Sequence, residues 1–230
     1  MNNKEKYEGS IHNTNSCGKL RILNYNDVTS VDIVFLDTGY KTNVWLKSIL
    51  EGSVKDKYKP TVEGVGYIGE TSTRENGKPK REYIIWRNLL RRCYNINQHV
   101  KQPTYAGCAV AEEFKSLEFF SIWCKKQKGF ENTDWVLDKD LLLKGNKVYS
   151  PETCVFVPEE TNGALIKNDK CRGYLPIGVK PRRAGTYQVA VSMGGYMEYV
   201  GIFKTPEEAF IGYKKIKRVL FKRVGNLLEG

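Results

Sequence analysis

Asp138 and Asp140 flank Lys139 in the run WVLDKDLL, and Asn162 follows in EETNGALI. On an extended strand, side chains two apart face the same way, so the two carboxylates share a side. With Asn162 they form an all-oxygen set suited to Mg²⁺ or Mn²⁺, hard cations that keep several waters. A cation held there polarises a phosphate and acidifies a bound water. The competing reading pairs the two carboxylates with Lys139, Lys144 or Lys147 on a solvated surface. The chain has only two histidines, His12 and His99. His99, in the loop after a basic helix, is the one able to reach this segment as a proton acceptor. Tyr149 and Glu152, between the two runs, are the supporting candidates.

A second group of residues suits phosphate and base edges. Arg87 and Arg91 lie four apart, which places them on one helix face. Lys180, Arg182 and Arg183, with Tyr187 and Gln188 just beyond, gather cations, a phenol and an amide in one short stretch. The alternative is an ordinary exposed strand. The charge of the whole chain, +11 over 230 residues, divides unevenly. Residues 1–73 are neutral, 74–101 carry +6, 102–169 carry −3 and 170–230 carry +8. Two basic blocks therefore flank an acidic one, and a basic balance of this kind points to an anionic polymer. A cation bound in the acidic segment reverses its local sign. A surplus spread over solvated helix faces is the plainer account.

The elements that must position these groups follow from periodicity. KLRILNY, VDIVFLD and YKTNVWL read as short strands, with Asn26-Asp27 and Thr38-Gly39 as turns. They predict a small β-barrel or sheet over 17–69, after a polar tail (1–16) and before a glycine-rich linker (70–79). Tyr83, Trp86, Leu90 and Cys93 recur at helical spacing, and a second helix starts near Ser116 with Phe119, Phe120 and Trp123 as its packing stripe. WVLDKDLL, the turn-rich KGNKVYSPET, CVFV and the residues after Pro158 read as strand, loop, strand and helix, a ββα unit within 80–169. From 170 to 230, strands are expected at Ile177 to Val179, Tyr187 to Met193 and Tyr196 to Phe203. Ala184-Gly185 and Gly194-Gly195 sit at the hairpin turns. Thr205, Pro206 and Glu208 mark the start of a helix about 20 residues long. The fold class is α+β, in several domains.

The stretch LPIGVKPRRAGTYQVAVSMGGYMEYVGIFKTPEEAFIGYKKIK resembles the APETALA-type (ethylene-response) DNA-binding domain, through GVK, YQVAV, YVGIF and TPEEAF. The resemblance implies DNA reading by a three-stranded sheet, with Lys180 at the family's arginine position and Ala184 where a tryptophan often stands. WVLDKDLLLKGNKVYSPETCVFVPEETN, preceded by IIWRNLLRRCY, resembles the HNH-type nucleases of bacteriophage genomes. That resemblance implies a divalent metal between Asp138 and Asn162, with Lys139 in the place of the family's histidine. A lysine is protonated at working pH unless strongly desolvated.

The expectation is thus a double-stranded-DNA-binding protein of phage or mobile-element type that acts as a metal-dependent endonuclease. The rival is a DNA-binding regulator with an inert ββα unit, and a third class is an RNA- or protein-binding module. No apolar run is long enough to span a membrane and no signal peptide opens the chain, which predicts an intracellular, cytoplasmic setting. Six scattered cysteines without a CxxC pair argue against a zinc ribbon or a disulfide scaffold.

Overall fold

The computed structural model describes residues 2–143, 145–159, 174–193 and 196–229, with the backbone alone over 192–193, 196–198 and 220–229. The chain divides into two compact units, Met1–Lys126 with Lys139–Cys154, and Gln127–Asp138 with Val155–Gly230. Among the described residues no helix is long and apolar enough to cross a membrane.

The first unit opens with helix α1 (Asn3–Tyr7) and an open antiparallel sheet of β1 (Ile11–Asn13), β2 (Lys19–Asp27), β3 (Ser30–Phe35) and β4 (Lys41–Val44), paired in sequence order. The sheet is not closed into a barrel. Leu20, Ile22, Val31, Ile33 and Phe35 alternate onto one face and are fully buried, covered by Leu46 and Ile49 of α2 (Leu46–Leu50). The expected polar tail is part of this module. Asn2 and Glu5 cap α1 reciprocally, and β1 extends the sheet with His12 opposite Leu20. Polar residues suffice there because pairing to β2 is through the backbone.

The expected linker also carries structure: β5 (Arg74–Glu75) and β6 (Lys78–Pro79) form a short hairpin. Its turn residues Asn76 and Gly77 both have positive φ, 49° and 75°, as a two-residue hairpin turn of the primed type requires. Helix α3 (Arg81–Tyr94) follows and buries Trp86, Leu89, Leu90 and Cys93. After α4 (Ile96–Lys101), β7 (Ala109–Val110) precedes α5 (Leu117–Lys126), whose Phe120 and Trp123 pack edge-on against Phe114. Ser116 caps α5 by accepting from the Phe119 amide. The Trp86 indole N–H donates to the Phe114 carbonyl at 2.7 Å, so its burial leaves no donor unpaired.

In the second unit β8 (Trp135–Asp138) pairs antiparallel with β10 (Val155–Pro158), and Phe130 packs edge-on against Phe156 beside them. The intervening β9 (Val148–Tyr149) belongs to the first unit, where it lies parallel to β7. The helix expected after Pro158, with Asn162 in it, falls on 160–173, outside the described residues.

The rest of the second unit is a three-stranded antiparallel sheet, β11 (Val179–Pro181), β12 (Tyr187–Met193) and β13 (Tyr196–Phe203), backed by helix α6 (Pro206–Glu229). Val179, Val189 and Val191 meet Ala209 and Tyr213 in its core. Thr205 accepts from the Glu208 amide at 3.2 Å, and Glu208 reaches back to the Lys204 amide, fixing the start of α6. Gly178, at φ 77°, lets Tyr213 approach so closely that an added Cβ would lie 2.2 Å from the ring. The Gly194-Gly195 turn lies outside the described residues.

Candidate functional site

The face of the C-terminal sheet turned away from α6 carries a defined set of side chains. Lys180, Gln188 and Ile202 lie opposite one another across the three strands. With strands spaced about 4.8 Å apart, this row is roughly 10 Å wide. The next row pairs Ala190 with Tyr199. A bulge makes this arrangement: register shifts between Val189 and Ala190, so Val189 faces Gly201 while Ala190 faces Tyr199. Val200 and Phe203 consequently both pack on the core, and Tyr199 and Ile202 are exposed at 57% and 49%. Strict alternation from Phe203 would have turned Tyr199 inward.

Tyr187 goes the other way. It stands opposite Phe203 and packs against the core under α6, away from Lys180 and Gln188. Arg182 and Arg183 are exposed at the hairpin end, where the Arg182 amide donates to the Thr186 carbonyl at 2.8 Å. Ala184 in this turn sits at φ 67°, a left-handed conformation unusual for a residue with a Cβ. Along α6, Lys214 lies over the Phe210 ring and Lys217 over the Tyr213 ring. Those ammonium groups are anchored on aromatic faces of their own helix.

In the first unit Arg87 and Arg91 are exposed on α3, outside the buried Trp86, Leu90 and Cys93 stripe. The Arg87 guanidinium lies 5.7 Å from the Tyr83 ring. His99, on α4, has Nε2 2.8 Å from the Arg92 carbonyl. A carbonyl accepts only, so Nε2 carries the proton and His99 fastens the end of α3 to α4. His12 contacts Ser10 through Nε2 at 2.9 Å, within the N-terminal module.

The Asp-Lys-Asp run departs from the expected alternating strand. β8 ends at Asp138, and Lys139 and Asp140 begin the loop that belongs to the first unit. Lys139 is buried; its ammonium donates to Asp140 Oδ2 at 2.7 Å and to the Asn146 carbonyl at 2.6 Å. Asn146 answers by donating to the Lys139 carbonyl at 2.9 Å. The ring of Tyr149 lies 5.7 Å from the same ammonium, and burial pushes the Tyr149 phenol well above its ordinary pKa. Lys147, the other candidate partner, donates to the Thr104 carbonyl instead. Lys144 and Asn162 lie outside the described residues. Glu152 is exposed, and hydrogen bonds from Ser150 and its own amide hold its carboxyl below the usual range.

The two carboxylates are therefore not gathered by strand alternation, because the Lys139–Asn146 cross-link turns the chain after Asp138. For a divalent cation, Asp140 is a donor already engaged by an ammonium, which any cation must displace. Among the described residues no group of three or more His, Cys, Asp or Glu side chains is placed to hold a metal ion, and Asn162, the third expected donor, lies outside them. The chain matches no protein-family model, no curated protein and no solved structure.

Proposed function

We propose that this chain binds double-stranded DNA with the exposed face of its C-terminal sheet. The observation that carries the reading is the row Lys180–Gln188–Ile202 with Tyr199 beside it, on a sheet whose other face is filled by a helix. A sheet face roughly 10 Å wide suits a major groove about 12 Å wide. Lysine pairs with guanine or phosphate, glutamine pairs with adenine, and an exposed aliphatic group meets a thymine methyl. Arg182 and Arg183 extend the cationic edge toward the phosphates. Arg87 and Arg91 offer a second cationic surface in the other unit.

The test is anisotropy titration of the full chain against a duplex DNA library across a salt series. A steep fall of affinity with salt, and sequence preference lost in Gln188→Ala, support the reading. Salt-insensitive binding, or no duplex binding, overturns it.

A second reading adds metal-dependent strand cleavage. It is favoured by the antiparallel pairing of β8 with β10, which supplies two strands of the expected ββα unit with Asp138 at a strand end. Supercoiled DNA incubated with Mg²⁺ or Mn²⁺, and with chelator, tests it. Nicking that disappears in Asp138→Ala and Asn162→Ala supports cleavage. Tight binding without nicking under either metal leaves a non-cutting DNA-binding protein.

A further inference from the structure

The hairpin before α3 lacks what ordinarily holds a two-stranded ribbon together. Isolated ribbons of this kind are marginal in water, and every residue from Arg74 to Pro79 is exposed. Polar contacts fix it instead. Asn76 and Gly77 supply the two left-handed turn residues. The Arg74 guanidinium donates to the Gly77 carbonyl at 2.9 Å across the turn. Ser72 Oγ donates to the Arg74 carbonyl at 2.8 Å, and the Lys80 amide donates to the Thr73 carbonyl at 3.0 Å, closing the base against α3. The ribbon is thus ordered, projects into solvent and buries almost nothing.

Its charge explains what such an element can meet. Arg74, Lys78, Lys80 and Arg81 are basic, and of the nearby acids Glu82 is buried on α3. Glu75, directly opposite Lys78, is the exposed acid of the ribbon. Six residues beyond Arg81 comes Arg87, about 9 Å up the helix, and Arg91 follows about 6 Å further. Cations thus recur from the ribbon along α3 over a distance comparable to half a turn of duplex, roughly 17 Å.

We infer that the Arg74–Pro79 hairpin is a preformed wing that contacts the phosphate backbone of duplex DNA, adding its cations to those of the adjoining helix α3. The inference rests on the duplex-DNA reading and adds a contact site to it. Preorganisation is the purpose of the hydrogen-bonded turn, since a ribbon ordered before binding loses little conformational entropy on contact.

The experiment is a salt-series titration of the full chain with duplex DNA, comparing wild type, Arg74→Ala/Lys78→Ala, Glu75→Gln and the sheet variant Lys180→Ala/Arg182→Ala. The hairpin double variant should lower affinity about 3- to 30-fold and reduce the salt slope by about 2, one for each phosphate that is no longer neutralised. Glu75→Gln should shift affinity the opposite way, which a merely structural role does not explain. Thermal melts of both should match wild type, because the hairpin buries so little. Normal duplex binding with an unchanged slope in both hairpin variants overturns the wing and leaves the sheet reading standing. Absence of duplex binding in wild type overturns both.

Discussion

The ammonium of Lys139 donates to the carboxylate of its neighbour Asp140 and, within the same loop, to the carbonyl of Asn146. The side chain is 9% exposed, against 50% for Asp140, so the two partners are unequal. Lys139→Met keeps the aliphatic stem but removes the ammonium that donates to the Asn146 carbonyl and to Asp140. It should cost about 2–3 kcal/mol in urea unfolding. Asp140→Asn, at a half-exposed position, should cost less than about 1 kcal/mol. A Lys139→Met chain that unfolds like wild type would overturn the structural role and make Lys139 a catalytic candidate again.

One turn and one close approach in the C-terminal sheet predict opposite signs for glycine–alanine exchange. Ala184 stands in a left-handed conformation at φ 67°, which costs an L-residue about 1–2 kcal/mol. Ala184→Gly removes that cost and adds about 0.5–1 kcal/mol of unfolded-state entropy, so stability should rise by up to about 1 kcal/mol. Gly178→Ala adds a Cβ 2.2 Å from the Tyr213 ring at φ 77°. Strain and overpacking together should lower stability by about 2–4 kcal/mol. Differential scanning of the two variants should show melting temperatures moving in opposite directions.

The C-terminal sheet is the most legible part of the chain, and particular residues show why. Alternation in YQVAVSM and the aromatic and β-branched run YMEYVGIF mark β12 and β13 as Tyr187–Met193 and Tyr196–Phe203, whereas the first strand is Val179–Pro181 and not the expected Ile177–Val179. Thr205-Pro206 marks the start of α6 because capping is local chemistry. The bulge at Val189/Ala190 is not legible, because it is a property of two paired strands, and with it goes the outward turn of Tyr199. β1 escapes sequence reasoning because Ile11–Asn13 has no apolar period of its own and is held by backbone pairing. Asn76-Gly77 does signal a hairpin, but strands of two residues leave no pattern on either side. The end of β8 at Asp138 depends on Asn146, eight residues on, holding Lys139 in a loop.

Burial of two thiols and a phenol should make the fold less stable as pH rises above the ordinary thiol range. Burial pushes the Cys93 thiol up to about 12 and moves Cys124 and Tyr149 upward as well. Between the ordinary thiol value of 9.0 and about 12, folded Cys93 keeps its proton while the unfolded chain loses it. Stability present below that window is therefore lost as pH rises through it, by up to roughly 1.4 kcal/mol per pH unit for each such group. The urea midpoint should hold between pH 7 and 8 and fall from about pH 9 to 10. Cys93→Ala should flatten part of that fall, and a midpoint constant up to about pH 10.5 would contradict the assignment. The five described thiols, Cys17, Cys93, Cys108, Cys124 and Cys154, are all buried and should react slowly with a disulfide reagent in the native protein and rapidly in denaturant.

Two tyrosines on opposite faces of one small sheet separate folding from recognition. Tyr187 packs on the core beneath α6, and Tyr199, carried outward by the bulge, is exposed beside the Lys180–Gln188 row. Tyr187→Ala removes a partly buried ring and should cost about 2–3 kcal/mol of stability. Tyr199→Ala removes little buried area, so its melting temperature should stay within about 2 °C of wild type. If the free face engages duplex DNA, Tyr199→Ala should weaken binding about 5- to 50-fold, an effect comparable to removing one good base or phosphate interaction. Folded Tyr187→Ala, assayed well below its melting temperature, should bind with near-wild-type affinity because its side chain never reaches the ligand. Reversal of that pattern, with Tyr187→Ala losing affinity while folded and Tyr199→Ala binding normally, would place the recognition surface on the helix side of the sheet.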